Sequence, residues 1–148
     1  MRCSEVPFTV GHRTADESMA ETQSCVLILE TDILVRMSVA QYLRECGYTV
    51  IEGVQASDFN TLIESGRELH IVLADINLFG DVTGFELSRS IRQTHPNIDV
   101  ILTSGVAGAA EQAHGLCEDG PIRKPYHPKD LEARIRILIE KRRNSKRS

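Results

Sequence analysis

The sequence predicts an α/β domain with a doubly wound, five-stranded parallel sheet, and three observations carry that prediction. Over 148 residues, short apolar runs alternate five times with segments of helical periodicity. The inner runs, such as "VLIL" and "IVLA", are apolar at consecutive positions, as strands covered on both faces must be. A chain of this length that is 41% hydrophobic can bury one core but not two. Right-handed crossovers between parallel strands then leave few topologies.

Residues 1–24 are polar, mixed in charge and aperiodic, which reads as a disordered leader, with Met19 as an alternative start to Met1. "VLILE" at Val26–Glu30 is the first strand. Val35, Val39, Leu43 and Cys46 follow at helical spacing up to a stop at Gly47. "YTVIE" gives the second strand, and Phe59, Leu62 and Ile63 give a second helix with Ser57 as its candidate cap. Ile71–Asp75 is the third strand. Thr83 with Glu86 makes a capping box for a helix that turns Leu87 and Ile91 inward. "DVILTS" is the fourth strand, Ala107–Cys117 a helix loosened by Gly108 and Gly115, and "PIRK" a short fifth strand. Pro128 opens a last helix with Leu131, Ile135, Leu138 and Ile139 on one face. The domain is expected to span 25–140. The basic residues 141–148 read as a solvated, frayed helix end that suits the helix dipole.

The net charge of -4 gives no overall pull toward nucleic acid or anionic membrane. No run approaches the roughly 18 consecutive apolar residues of a membrane span, and the start lacks a signal-peptide core. Cys3, Cys25, Cys46 and Cys117 are scattered without a CxxC pair, giving neither a zinc pattern nor a disulfide framework. A reduced, cytoplasmic setting is expected. None of His12, His70, His95, His114 and His127 has metal-ligand spacing, and His70 reads as a loop residue.

In doubly wound sheets, sites form at the carboxyl ends of the strands, where the strand order reverses. The first strand delivers Glu30, Thr31 and Asp32 to that edge, the third Asp75, the fourth Thr103 and Ser104, and the fifth Lys124. A carboxylate among those partners can attack a phosphoryl group. A divalent cation held by acids offsets charge repulsion, while Lys124 and Thr103 receive the transferred oxygens.

With those residues in place, "VLILETD", "LADINL", "VILTSG" and "IRKPY" together resemble a response regulator receiver domain over residues 25–140. The resemblance implies a flavodoxin-like (βα)5 fold with strand order 2-1-3-4-5. It implies a phosphoacceptor, Asp75, charged by a histidine kinase or histidine phosphotransfer protein, and not an enzyme beyond an intrinsic autophosphatase activity. It further implies phosphate contacts from Thr103 and Lys124, a cis Lys124–Pro125 bond, and magnesium near Glu30, Asp75 and the main-chain carbonyl of Asn77.

The sequence departs from the family pattern at three places. Thr31 stands where a second acid usually binds the metal, so magnesium affinity should fall unless Asp32 contributes through a water. Phe79 replaces a common proline, and Pro121 replaces the aromatic residue whose rotation reports phosphorylation. Two functions therefore follow: a stand-alone phosphoacceptor signalling through protein contacts, or a degenerate receiver that binds a partner without phosphate. Neither includes a DNA-binding domain, and self-pairing and the downstream target are left open. A second apolar row on the first helix, Ile33, Met37 and Ala40, is either edge-of-core packing or a kinase-docking face.

Overall fold

The computed structural model describes residues 23–105 and 121–147. Among these, five strands pair in parallel in the order 2-1-3-4-5: β1 Cys25–Leu29, β2 Thr49–Gly53, β3 Ile71–Asp75, β4 Asp99–Ser104 and β5 Ile122–Arg123. Four described helices accompany them: α1 Ile33–Glu45, α2 Ala56–Glu64, α3 Gly84–Thr94 and α4 Pro128–Arg147. The flavodoxin-like expectation holds. The expected helix at 107–117, most of the leader and the alternative start at Met19 lie outside the described residues.

Strand side chains alternate between two cores because successive Cβ atoms point to opposite faces. Leu27, Leu29, Val72, Ala74 and Leu102 face α2 and α3, where Phe59, Leu87 and Ile91 close the layer. Val26, Ile28, Ile71, Leu73 and Ile101 face α1 and α4, meeting Val39, Leu43, Leu131 and Ile135. Each wholly buried Leu or Ile contributes roughly 2 kcal/mol. Either layer therefore outweighs any single surface ion pair, worth about 0–1 kcal/mol.

The helix ends show where local chemistry chose the boundaries. Asp32 caps α1 by accepting from the Leu34 and Val35 amides at 2.9 and 3.2 Å. Gly47 ends that segment at φ 101°, a left-handed conformation that favours glycine. Ser57 is not the cap of α2. Asp58 accepts from both the Val54 and Gln55 amides, at 2.8 and 3.1 Å, and its charge fixes the start at Gln55. The Thr83–Glu86 capping box of α3 forms as the sequence indicates.

Three further expectations are corrected. The second apolar row of α1 is not uniform: Ala40 is wholly buried, as edge-of-core packing implies, whereas Ile33 and Met37 are exposed, as is Leu34. The basic end is not simply frayed. Helix α4 continues to Arg147, and Arg142 forks onto Asp99 at 2.6 and 2.9 Å while also donating to the Pro96 carbonyl. His70 is more than a loop residue, since its Nδ1 accepts from the Cys25 amide at 2.9 Å and ties the starts of β1 and β3 together. Cys25 is a buried free thiol, whereas Cys46 is disulfide-bonded, which widely separated cysteines do not reveal by spacing.

Candidate functional site

The strand order reverses between β1 and β3, so the loops leaving them diverge and open a crevice at the carboxyl edge. Glu30 follows β1 and Asp75 ends β3, and both carboxylates are buried, at 3% and 5% exposure. Thr103 lies directly beside Asp75 in the β3–β4 register and is 1% exposed. Lys124 arrives from β5, its amide donating to the Ser104 carbonyl at 2.9 Å, immediately before a cis peptide bond to Pro125.

The Lys124 ammonium bridges the two acids. Its Nζ lies 2.6 Å from Glu30 Oε1 and donates to Asp75 Oδ2. The remaining carboxylate oxygens are also held. Asp75 Oδ1 accepts from the Asn77 amide at 2.7 Å, and Glu30 Oε2 accepts from the Asp32 amide at 3.0 Å. Two buried negative charges thus share one cation, and backbone donors take the other lone pairs.

The structure therefore brings Asp75, Lys124 and Glu30 into contact and sets Thr103 beside them. It holds Asn77 through its amide. Asp32 is exposed, with Oδ1 committed to the cap of α1. Among the described residues, no three His, Cys, Asp or Glu side chains gather into a metal cage. The donor set nevertheless fits magnesium, which binds through one or two carboxylates and keeps several waters. The buried pocket carries one unbalanced negative charge, and its two acids supply hard oxygen ligands.

Tyr126 and Gly84 also border this site. Tyr126 is half-buried among Leu34, Val35, Lys124 and Pro125, beside a cavity of about 570 Å³ that also reaches Pro128. Gly84 begins α3 against the backbone of Asp75, where an added Cβ would lie 2.4 Å from the Asp75 carbonyl oxygen. A glycine where a helix former is favoured is the sequence cue for such a close approach.

Three groups give the domain an alkaline limit. Partial burial opposes the charge on Lys124, but hydrogen bonds from it to Asp75 and Glu30, with the charge of both acids, outweigh that and hold it above the ordinary lysine range. Burial, then the charges of Glu30 and Asp75, push the Tyr126 phenol up. Burial, then a 2.9 Å hydrogen bond to Glu132, does the same at Tyr48. A folded-state pKa raised above the unfolded one adds stability that is complete below the unfolded value and is lost as pH climbs toward the folded one. Unfolded tyrosine and lysine titrate near about 10 and 10.4. The melting temperature is thus expected to fall above about pH 10, less steeply in Tyr126→Phe than in the wild type. Thermal unfolding across that range checks this, and equal slopes in the two proteins would contradict it.

Comparison with known proteins agrees with this geometry. A family model described as the response regulator receiver domain matches residues 26–136. The chain is 32% identical over 147 residues to the sensor kinase CckA of Brucella abortus, covering 95% of this chain and 15% of that protein. It is 29% identical over 121 residues to the cell cycle response regulator CtrA of Brucella ovis, covering 78% of this chain and 50% of that protein. It thus spans half or less of the length of these relatives. A solved receiver domain protein (CheY-like) from Methanospirillum hungatei superposes with a TM-score of 0.72 at 27% identity, covering 83% of this chain and 99% of that one. No helix of the described residues is long and apolar enough to cross a membrane. With the acid, lysine and hydroxyl gathered at the carboxyl edge of a 2-1-3-4-5 sheet and three quarters of its length matched by the family model, the chain belongs to the response regulator receiver family of two-component signalling.

Proposed function

We propose that this receiver accepts a phosphoryl group on Asp75 from the phosphohistidine of a histidine kinase or histidine phosphotransfer protein, in the cytoplasm. The single observation that carries the reading is the buried Asp75 carboxylate joined to Lys124, with Thr103 beside it in register. A carboxylate oxygen attacks phosphorus, the P–N bond of the phosphohistidine breaks, and the imidazole leaves with the electron pair. The product is an acyl phosphate on Asp75.

Each neighbour has a separate task. Lys124 places its ammonium against the incoming phosphoryl oxygens, and the Thr103 hydroxyl donates to one of them. The Asn77 amide holds the non-attacking oxygen and fixes the carboxylate plane. Glu30, Asp75 and the Asn77 main-chain carbonyl would hold magnesium, with Asp32 contributing through a water, and the ion supplies positive charge that offsets repulsion between two anions. Intrinsic autophosphatase activity needs only water reaching the acyl phosphate. Ile33, Leu34 and Met37, all exposed on α1 close to this edge, offer the donor an apolar surface.

A second reading, a phosphate-independent binding module, is favoured by Thr31 and Pro121. The first removes one acid from the site, and the second leaves no aromatic ring at the position where the family keeps its reporting residue. Incubation with magnesium and a small phosphodonor, followed by intact mass measurement, separates the two. The wild type is expected to gain one phosphoryl group and Asp75→Asn none. A wild type that gains nothing supports the binding module.

A further inference from the structure

We infer that Arg36 is a positioning residue for the site: it fixes the peptide that carries Glu30, and through it the affinity for a divalent cation. The inference rests on the phosphoacceptor reading of Asp75 and deepens it. Glu30 lies one residue past the end of β1, so its carbonyl falls beyond the ladders that β1 makes with β2 and β3. A buried carbonyl without a partner is costly. Here the partner is a side chain, since Arg36 Nη1 donates to the Glu30 oxygen at 2.8 Å.

Arg36 is itself held. Its Nε donates to Glu52 Oε1 at 3.3 Å, and the other oxygen of Glu52 receives Arg44 Nη1 at 3.1 Å. Arg44 in turn donates to the Val50 carbonyl at 2.9 Å. The Arg36 side chain is only 17% exposed, so the guanidinium fork is fixed between β1 and β2 and not waving in solvent. The Glu30 amide donates to the Gly53 carbonyl at 3.1 Å, and its carboxylate takes Lys124 and the Asp32 amide. Arg36 thus supplies the side-chain anchor of a residue whose other contacts come from the backbone and from the site.

Two effects of Arg36 on a cation oppose each other. Its charge repels a divalent ion, whereas its hydrogen bond keeps the Glu30 carboxylate aimed at the ion's place. With Thr31 neutral, Glu30 and Asp75 are the two buried acids at this edge, so misplacing Glu30 removes half of the direct carboxylate ligation. Positioning therefore outweighs repulsion. Loss of a group that orients a metal ligand typically costs about tenfold or more in affinity.

The test compares Arg36→Ala and Arg36→Lys with Glu52→Gln, which weakens the ion pair to β2 but leaves the guanidinium at Glu30. Magnesium binding is read by calorimetry without phosphodonor, and exchange of the Asp32 amide, which donates to Glu30, is read by NMR. Both Arg36 variants are expected to weaken magnesium binding about tenfold and to speed Asp32 exchange, with Glu52→Gln close to wild type in both. Arg36→Lys keeps the charge and the aliphatic stem, so it carries the test if the alanine variant fails to fold. Unchanged or tighter magnesium binding in the Arg36 variants overturns the inference, as does an equal loss in Glu52→Gln. Phosphoryl gain by the wild type is scored separately, so failure of the phosphoacceptor reading is not mistaken for failure of this one.

Discussion

Gly84→Ala is expected to lower the melting temperature and to slow phosphoryl gain at Asp75, although alanine is the better helix former. The added Cβ would stand 2.4 Å from the Asp75 carbonyl oxygen and 2.7 Å from the Ile76 Cα, and real Cβ atoms essentially never come within 3.0 Å. Neither neighbour can yield easily. Ile76 donates its amide to the Thr103 carbonyl and accepts the Gly84 amide on its own oxygen, each at 3.0 Å. The start of α3 must therefore back away from the sheet and strain the turn that follows Asp75. Overpacking of this kind costs about 1–3 kcal/mol, and the propensity gain of alanine returns less than about 1 kcal/mol at a helix's first position. A net loss of about 2 kcal/mol lowers the melting temperature by roughly 4–8 °C in a domain of this size. Thermal unfolding decides the stability part, and an unchanged or higher melting temperature would refute the argument.

The legible parts of this molecule were those that short-range patterns encode. Ile71–Asp75 and Asp99–Ser104 occupy the residues expected of them because apolar runs bounded by polar turns have no competing period. The Thr83–Glu86 box was legible because both partners lie within one helical turn. Ser57 misled because a capping hydroxyl accepts from amides two or three residues ahead, whereas the Asp58 carboxylate reaches back to the Val54 and Gln55 amides and sets the helix start earlier. The PIRK strand shrinks to Ile122–Arg123 because its length is set by pairing with the end of β4, which its own composition does not record. The same holds for Ala40, which the pattern leaves between core edge and docking face until α1 packs it into the core.

Within the site, Asp75, Lys124, Glu30 and Thr103 could be found because topology alone sends strand ends to one edge. What held them could not. The Arg36 contact to Glu30 spans six residues and depends on where β1 stops, and the Gly84 approach depends on the angle at which α3 leaves its loop. The first is a side chain reaching a backbone carbonyl and the second a close approach of two backbones, and a linear pattern contains no distances. Arg142 on Asp99 is likewise a long-range contact, 43 residues apart, between a helix end and a strand start.

Replacing Lys124 by methionine is expected to produce the largest effect of any single change at the site. Methionine keeps a comparable apolar stem but removes the cation shared by Glu30 and Asp75, whose side chains are 4% and 7% exposed. Two like charges then face each other in a pocket that water enters poorly. Breaking a buried pair by removing one partner costs about 3–5 kcal/mol, and the low end, about 3 kcal/mol, applies because Lys124 itself touches solvent. The deficit should narrow with magnesium, as a cation replaces the ammonium by mass action. A double change separates charge from packing. If repulsion is the cause, adding Asp75→Asn to Lys124→Met should restore much of the lost stability, a coupling well above the scatter of about 0.3–0.5 kcal/mol for independent sites. If the two losses simply add, or if Lys124→Met melts with the wild type at neutral pH, the ammonium does not hold the acids together. The same balance explains why a buried acid at the end of a strand is tolerated at all: its charge is matched within the fold by the ammonium of Lys124.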